Sequence, residues 1–246
     1  MNSHKKASTG MNRREFLKAT SLAGGGLMLS FTVPAYVTAA DQPATAVSSG
    51  ELNAFVKISS DGTITIFASN PEMGQGVSTA LPMVIAEEMG AKWEDVVVEV
   101  APIDSARFGR QSAGGSTTVM RNFNRMRQMG ASAREMLIGA AAESMERPRE
   151  ELKARNSEII HVSGDKMTFG QLAVLAAKQP VPDLDDLTFK DADDYTIIGT
   201  SVASVDNMLI ATGVASFGID AVEPDMLYAA FYKCPAIGGK AVSANL

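Results

Sequence analysis

The amino-acid sequence predicts an α+β fold. Short apolar-alternating runs come in pairs around glycine-containing turns, the pattern of β-hairpins. Between and after them, three longer segments place apolar residues at helical spacing. The 246 residues are 46% hydrophobic and 20% charged, ordinary values for a globular chain of one large or two small domains.

Residues 1–40 read as a leader rather than as part of the fold. Arg13 and Arg14 stand in a basic head, "SLAGGGLMLSFTVPA" is a moderately apolar, glycine-rich core, and "VTAA" offers small residues for cleavage, most simply after Ala40. The core is too short and too glycine-broken for a membrane span. "NRREFLK" resembles the twin-arginine export signal, which carries proteins already folded, commonly with a cofactor inserted beforehand. That resemblance implies the twin-arginine translocase as a partner and a periplasmic destination. Gly24–Gly26 do not form a nucleotide loop, since no strand precedes them.

Residues 41–52 form a polar linker. Ala54–Ser60 and Thr63–Ser69 alternate around Asp61-Gly62 and predict a hairpin. "NPEMGQGVSTALPMVIAEEMG" follows, a helix from Gly76 to Met89 opened by Gly74-Gln75-Gly76, with Pro82 distorting its early turn. "DVVVEVAP" reads as a buried strand and "FGRQSAGGSTTV" as a loop of small polar residues. "NFNRMRQMGASAREMLIGAAAESM" is a long alanine-rich helix, and Pro148 is placed to start a short one, "PREELKA". "EIIHVSGDKMT" is a second hairpin. Thr168 caps a helix through Gln179, with Gln171 three residues on. The proline- and aspartate-rich connector Pro180–Asp194 places a boundary near Asp191, dividing residues 53–190 from 191–246. In the second part "MLYAAFYKCP" predicts a strand with a buried face. A strand without sheet partners is poorly stable, so the chain reads as unfinished.

Charge and residue counts exclude several functions. Residues 1–40 carry +4 of the formal −6, which leaves −10 on the remainder. Such a body repels nucleic acid and anionic lipid. One cysteine, Cys234, and two histidines, His4 and His161, exclude an internal disulfide, a cysteine-held iron–sulfur cluster and a histidine-rich metal centre. Any metal comes within a cofactor or belongs to a partner.

Two loops are candidates for binding. Gly74-Gln75-Gly76 opens a helix, whose unpaired N–H groups favour anions, and a glutamine amide both donates and accepts. "SAGGSTTV", Ser112–Val119, presents donors without bulk before the next helix. Each alone reads more simply as a plain turn or linker. Neither has the lysine of a P-loop or the spacing of a dinucleotide fingerprint. Glu87 and Glu88 read as a solvated helix face, as do Asp104 and Asp220 as solvated acids. His161 reads as a surface or partly packed residue, Cys234 as a small buried hydrophobe, and Met73, Met83 and Met89 as packing residues.

Taken together and in order, "EMGQGVSTALPMVIAEEMGAKWEDVVVEVAP", "SAGGSTTV" and "RQMGASAREML" resemble the large molybdopterin-binding subunits of the xanthine dehydrogenase family. The nearest branch is that of isoquinoline 1-oxidoreductase beta subunits and related aldehyde dehydrogenases. "IIGTSVASVDNMLIATGVASFGIDAVEPDMLYAAFYKCP" resembles the start of that family's hammerhead-like α/β domain, although "NMLIATG" lacks a lysine usual before the glycine. The resemblance implies that Gln75 contacts the pterin, with Gly74 and Gly76 allowing close approach, and that Gly115, Ser116 and Thr117 contact cofactor phosphate or pterin. It implies a molybdenum–molybdopterin cofactor in the cytosine dinucleotide form and oxidative hydroxylation of an aldehyde or N-heterocycle. Electrons would leave through a small subunit with two [2Fe–2S] clusters, then to a cytochrome c. The family's catalytic glutamate lies far toward the C-terminus of much longer chains, and nothing here matches it. The expected protein is therefore an N-terminal portion, inactive without the remainder of the large subunit. A truncated or split fragment that only binds cofactor or partner, and a periplasmic phosphate- or sugar-binding module, use the same two loops.

Overall fold

A computed structural model describes residues 27–30, 54–240 and 242–243. Contacts divide the chain into two units, Met1–Val205 and Asp206–Leu246.

The first unit is built on a four-stranded sheet of order β1-β2-β3-β4. Its strands are β1 (Leu27–Ser30), β2 (Ala54–Ile58), β3 (Ile64–Ala68) and β4 (Val96–Val100). The expected hairpin is present: β2 and β3 pair antiparallel, and Asp61 accepts from the Thr63 N–H in the turn. β1 falls within the predicted leader and pairs antiparallel with β2. From β3 the chain crosses through helix α1 (Val77–Met89) to β4, which runs parallel to β3. A parallel neighbour requires such a crossover. β3 is buried along nearly its whole length, as a strand covered on both faces should be. β4 lies at one edge of the sheet among the described residues. It was expected to be buried, but none of its side chains is, and Val100 is 79% exposed.

A one-turn helix, α2 (Ser105–Phe108), is capped by Asp104, whose carboxylate accepts from the Ala106 and Arg107 N–H groups. The long helix α3 (Thr118–Met145) lies against α1. Close approach comes from Gly130: a Cβ there would stand 2.4 Å from the Ile85 carbonyl oxygen. Ile64, Ile66, Leu81, Ile85, Met129 and Leu137 are among the core residues these elements bury together. Pro82 lies inside α1 without ending it.

After α3 the expected helix over "PREELKA" is only a 3₁₀ turn, Arg149–Glu151. Leu152–Arg155 is a strand, β5, paired with β6 (Glu158–His161) and then β7 (Lys166–Thr168). Pairing partners contributed later in the chain override local helix propensity. The second hairpin and the capping box of α4 (Phe169–Ala176) match the sequence: Gln171 N–H donates to Thr168 Oγ1, and Thr168 N–H donates to the Gln171 side chain. His161 is buried, not a surface residue, with its ring nitrogens 2.7 Å from Glu151 Oε2 and from Ser163 Oγ.

Residues 187–205 run back along α1. Asp191 lies within this strap, and the division between the units lies after Val205. The strap is held by the two glutamates expected on a solvated face. Glu87 and Glu88 are 0% and 1% exposed. Glu87 accepts from the N–H groups of Thr196, Ile197 and Ile198 at 2.8, 2.6 and 3.1 Å and from Lys190 Nζ at 2.9 Å. Glu88 accepts from Arg127 Nε, Arg134 Nη1 and the Lys190 N–H. Arg134 also donates to the Thr188 carbonyl and Arg127 to that of Lys190. A buried carboxylate is tolerable when it is paired and hydrogen-bonded in this way.

In the second unit the described residues hold one short helix, α5 (Asn207–Ala211), and a 3₁₀ turn, Gly218–Asp220. "MLYAAFYKCP" is not a strand. Tyr228 is 83% exposed, and Cys234 is exposed rather than buried, because no described sheet partner covers this segment.

Candidate functional site

Both glycine loops lie beyond the carboxyl ends of the parallel strands. The chain leaves β3 at Ala68, forms the Asn70–Gly76 loop and enters α1. It leaves β4 at Val100, passes α2 and the Gly109–Thr117 loop, and enters α3. In open α/β sheets this edge is where ligands bind.

Asn70 ties the two loops together. It is 4% exposed, and its Nδ2 donates to the carbonyls of Ser112 at 3.2 Å and Arg110 at 3.5 Å. Arg125 of α3 donates to the Phe108 carbonyl at 2.7 Å, which holds α2 to α3 on the side of the second loop. Its guanidinium lies 4.9 Å from the centroid of the Phe55 ring.

The first loop is closed by its own side chains. Gly74 and Gly76 have φ of 99° and 77°, a left-handed backbone that glycine adopts without strain. A Cβ on either would meet nothing within 4 Å, so turn geometry, not crowding by the protein, requires glycine. Gln75 is exposed; its Oε1 accepts from the Met73 N–H at 2.7 Å and its Nε2 donates to the Pro71 carbonyl at 2.9 Å. One amide hydrogen and one lone pair remain to face outward. Met73 is exposed at the rim, not packed; Met83 is partly buried and Met89 fully buried.

The N–H groups expected to be free for an anion are taken. Glu72 Oε1 accepts from Gly74 and Gly76 at 2.8 and 2.9 Å, and its Oε2 accepts from Ser78 at 2.9 Å. Burial pushes this carboxyl up. The N–H groups of Ser78, Gly76 and Gly74 push it down and prevail, leaving it below the usual glutamate value.

The second loop is open. Gly115 and Ser116 are left-handed, with φ of 61° and 55°, and exposed. Thr117 Oγ1 donates to the Gly114 carbonyl at 3.2 Å. α3 begins with no side-chain cap and no acidic residue in its first turn, while Arg121 is exposed at that end. Its first-turn N–H groups and dipole favour negative charge.

Residues 6–216 match the family described as the molybdopterin cofactor-binding domain. The chain belongs to that family. It is 28% identical over 267 residues to the beta chain of isoquinoline 1-oxidoreductase from Brevundimonas diminuta, a match covering 93% of this chain and 34% of the relative. It is 28% identical to a membrane-bound aldehyde dehydrogenase (pyrroloquinoline-quinone) of Gluconacetobacter polyoxogenes, covering 91% and 29%. A nicotinate dehydrogenase subunit of Pseudomonas putida is also 28% identical, covering 78% and 16%. The chain thus spans about a third or less of the length of these relatives. Quinoline 2-oxidoreductase of Pseudomonas putida 86 aligns in structure with a TM-score of 0.40 and 21% identity, over 51% of this chain and 16% of that one.

The residues of this molybdopterin cofactor-binding domain fit the group in a divided way. The open cradle at Gly115–Thr117 has the donors and field for an anionic end. The space over Gly74 and Gly76 and the free half of the Gln75 amide suit a neutral heterocycle edge, while a phosphate at α1 meets the Glu72 carboxylate. Arg13 and Arg14 lie outside the described residues. Asn70 and Glu72 were missed in the sequence. Glu72 has a signal, an acid four residues before a glycine that starts a helix; Asn70 has none, since its partners lie 40 and 42 residues away. A separate groove of about 430 Å³, lined by Trp93, Asn156 and Thr200 among others, shares no residue with either loop.

Proposed function

We propose that this chain is part of the large subunit of a molybdenum hydroxylase that oxidises aldehydes or N-heterocycles, as the names of its relatives suggest. The observation that carries the reading is the pair of glycine loops at one sheet edge, tied by Asn70, in a chain of the molybdopterin-binding family. Gln75 would hold the pterin edge, with Gly115, Ser116 and Thr117 at the phosphate, in a cytosine dinucleotide form of the cofactor. When bound, the cofactor supplies two-electron redox chemistry at its metal. This chain binds and orients it. Glu87 and Glu88 are buried and fully engaged, so neither serves as the base, which would lie in a segment corresponding to the relatives' remaining length.

Electrons would pass to a [2Fe–2S] small subunit and on to a cytochrome c. The leader would be read by the twin-arginine translocase, placing the protein in the periplasm. Replacing Arg13 and Arg14 with lysine would then hold the precursor in the cytoplasm; normal processing of that variant rejects the export reading.

The decisive experiment is metal and pterin analysis of the purified assembled protein and its Gln75→Ala variant. Partial loss of molybdenum with unchanged circular dichroism is the expected result. One hydrogen bond is worth about 0.5–1.5 kcal/mol, too little to empty the site. Unchanged molybdenum content overturns the Gln75 assignment. The name of the Gluconacetobacter relative gives a second reading, a quinone cofactor. Quinone without molybdenum in the purified protein would favour it.

A further inference from the structure

Gly74, Gly76 and Ser78 point three backbone N–H groups at one spot, at the start of a helix of 13 residues. Such a concave set of donors is the ordinary way a protein binds phosphate. Here the spot is filled from within the chain. Both Glu72 oxygens are used, and the donors come from both sides of Gln75 in sequence. The other loop differs: α3 starts with no side-chain cap, and an arginine, Arg121, is exposed in its first turn.

We infer that Glu72 is a positioning and specificity-determining residue. Its carboxylate fills the anion cradle of the first loop, fixes the backbone that presents Gln75, and directs any anionic group of the ligand to the Gly115–Thr117 loop. This inference rests on the cofactor reading above for the identity of the ligand. It does not rest on it for the chemistry of the cradle. A second negative charge at the α1 end would face the carboxylate at hydrogen-bond range, where like charges repel strongly. A neutral donor–acceptor edge meets no such repulsion. Glu72 touches no ligand in this arrangement and acts through the loop.

The test uses the full chain, labelled with ¹⁵N and titrated with inorganic phosphate at constant ionic strength. In the wild type the amide signals of Gly74, Gly76 and Ser78 stay still, while those of Gly115–Val119 move. In Glu72→Ala the cradle is emptied, and the same three amides acquire a saturable response to phosphate. Glu72→Gln keeps a carbonyl oxygen for Gly74 and Gly76. It should retain the wild-type Gln75 signals and remain unresponsive at the cradle, a rescue that loss of packing alone would not give. A phosphate response at Gly74 and Gly76 in the wild type overturns the inference. So does a silent cradle in Glu72→Ala, or a Gln75 signal in Glu72→Gln displaced as far as in Glu72→Ala. No pterin is present in these titrations, so their failure leaves the molybdenum analysis of Gln75→Ala standing, and the reverse also holds.

Discussion

Glu88 of α1 and Arg134 of α3 meet in the interior. Arg134 Nη1 lies 3.3 Å from the Glu88 carboxylate and donates to its backbone carbonyl at 2.8 Å. Arg127 completes the group with Nε 2.6 Å from the other carboxylate oxygen. One acid thus joins two helices and, through the Lys190 N–H, the strap that follows them.

Removing Glu88 leaves two guanidinium groups without their shared carboxylate. Glu88→Ala should cost about 3–5 kcal/mol, the usual loss when one partner of a buried pair is deleted. Chemical denaturation followed by circular dichroism reads it directly, and a loss within about 0.5 kcal/mol, typical of a surface change, would contradict the buried arrangement.

Glu87 makes stability depend on acid. Burial pushes its carboxyl up, but Lys190 and the N–H groups of Ile197, Ile198 and Thr196 together hold it below the ordinary 4.5. Its contribution is therefore complete above pH 4.5 and is lost as pH falls through the lower folded value. Acid titrations of the wild type and Glu87→Gln should show the variant less stable at neutral pH and less sensitive below 4.5.

Gly130 sets the distance between α1 and α3. Gly130→Ala places a methyl 2.4 Å from the Ile85 carbonyl and 2.7 Å from Glu88 Cβ, neither of which is a free side-chain end. Alanine is the better helix former by about 1 kcal/mol, yet overpacking should dominate, with a net loss of about 1–3 kcal/mol. A raised melting temperature would show that the helices separate without cost.

Asn70→Ala should loosen the second loop rather than the core. The Ser112 and Arg110 carbonyls lose their donor, a change worth about 1–3 kcal/mol where a group is left unsatisfied. Hydrogen exchange should rise over residues 109–117 and stay unchanged in α3 beyond its first turns.

Local pattern determined much of this protein. The β2–β3 hairpin, the α1 and α3 helices, the β6–β7 hairpin and the Thr168–Gln171 capping box were legible because each is fixed by residues within a few positions. The two glycine loops were legible as turns before helices, and their order carried the family resemblance. Only the tertiary structure decided what Glu87 and Glu88 do. An acidic pair on an amphipathic helix reads as solvated when its donors lie 39 to 111 residues away. The same distance hid Asn70. "PREELKA" was misassigned for a different reason: β5 exists because the adjacent strand β6 pairs with it, which local helix propensity does not show. The charge of Glu72 was visible from the start. Its consequence was not, because whether a helix end is open to an anion depends on which acceptor the folded backbone has already placed there.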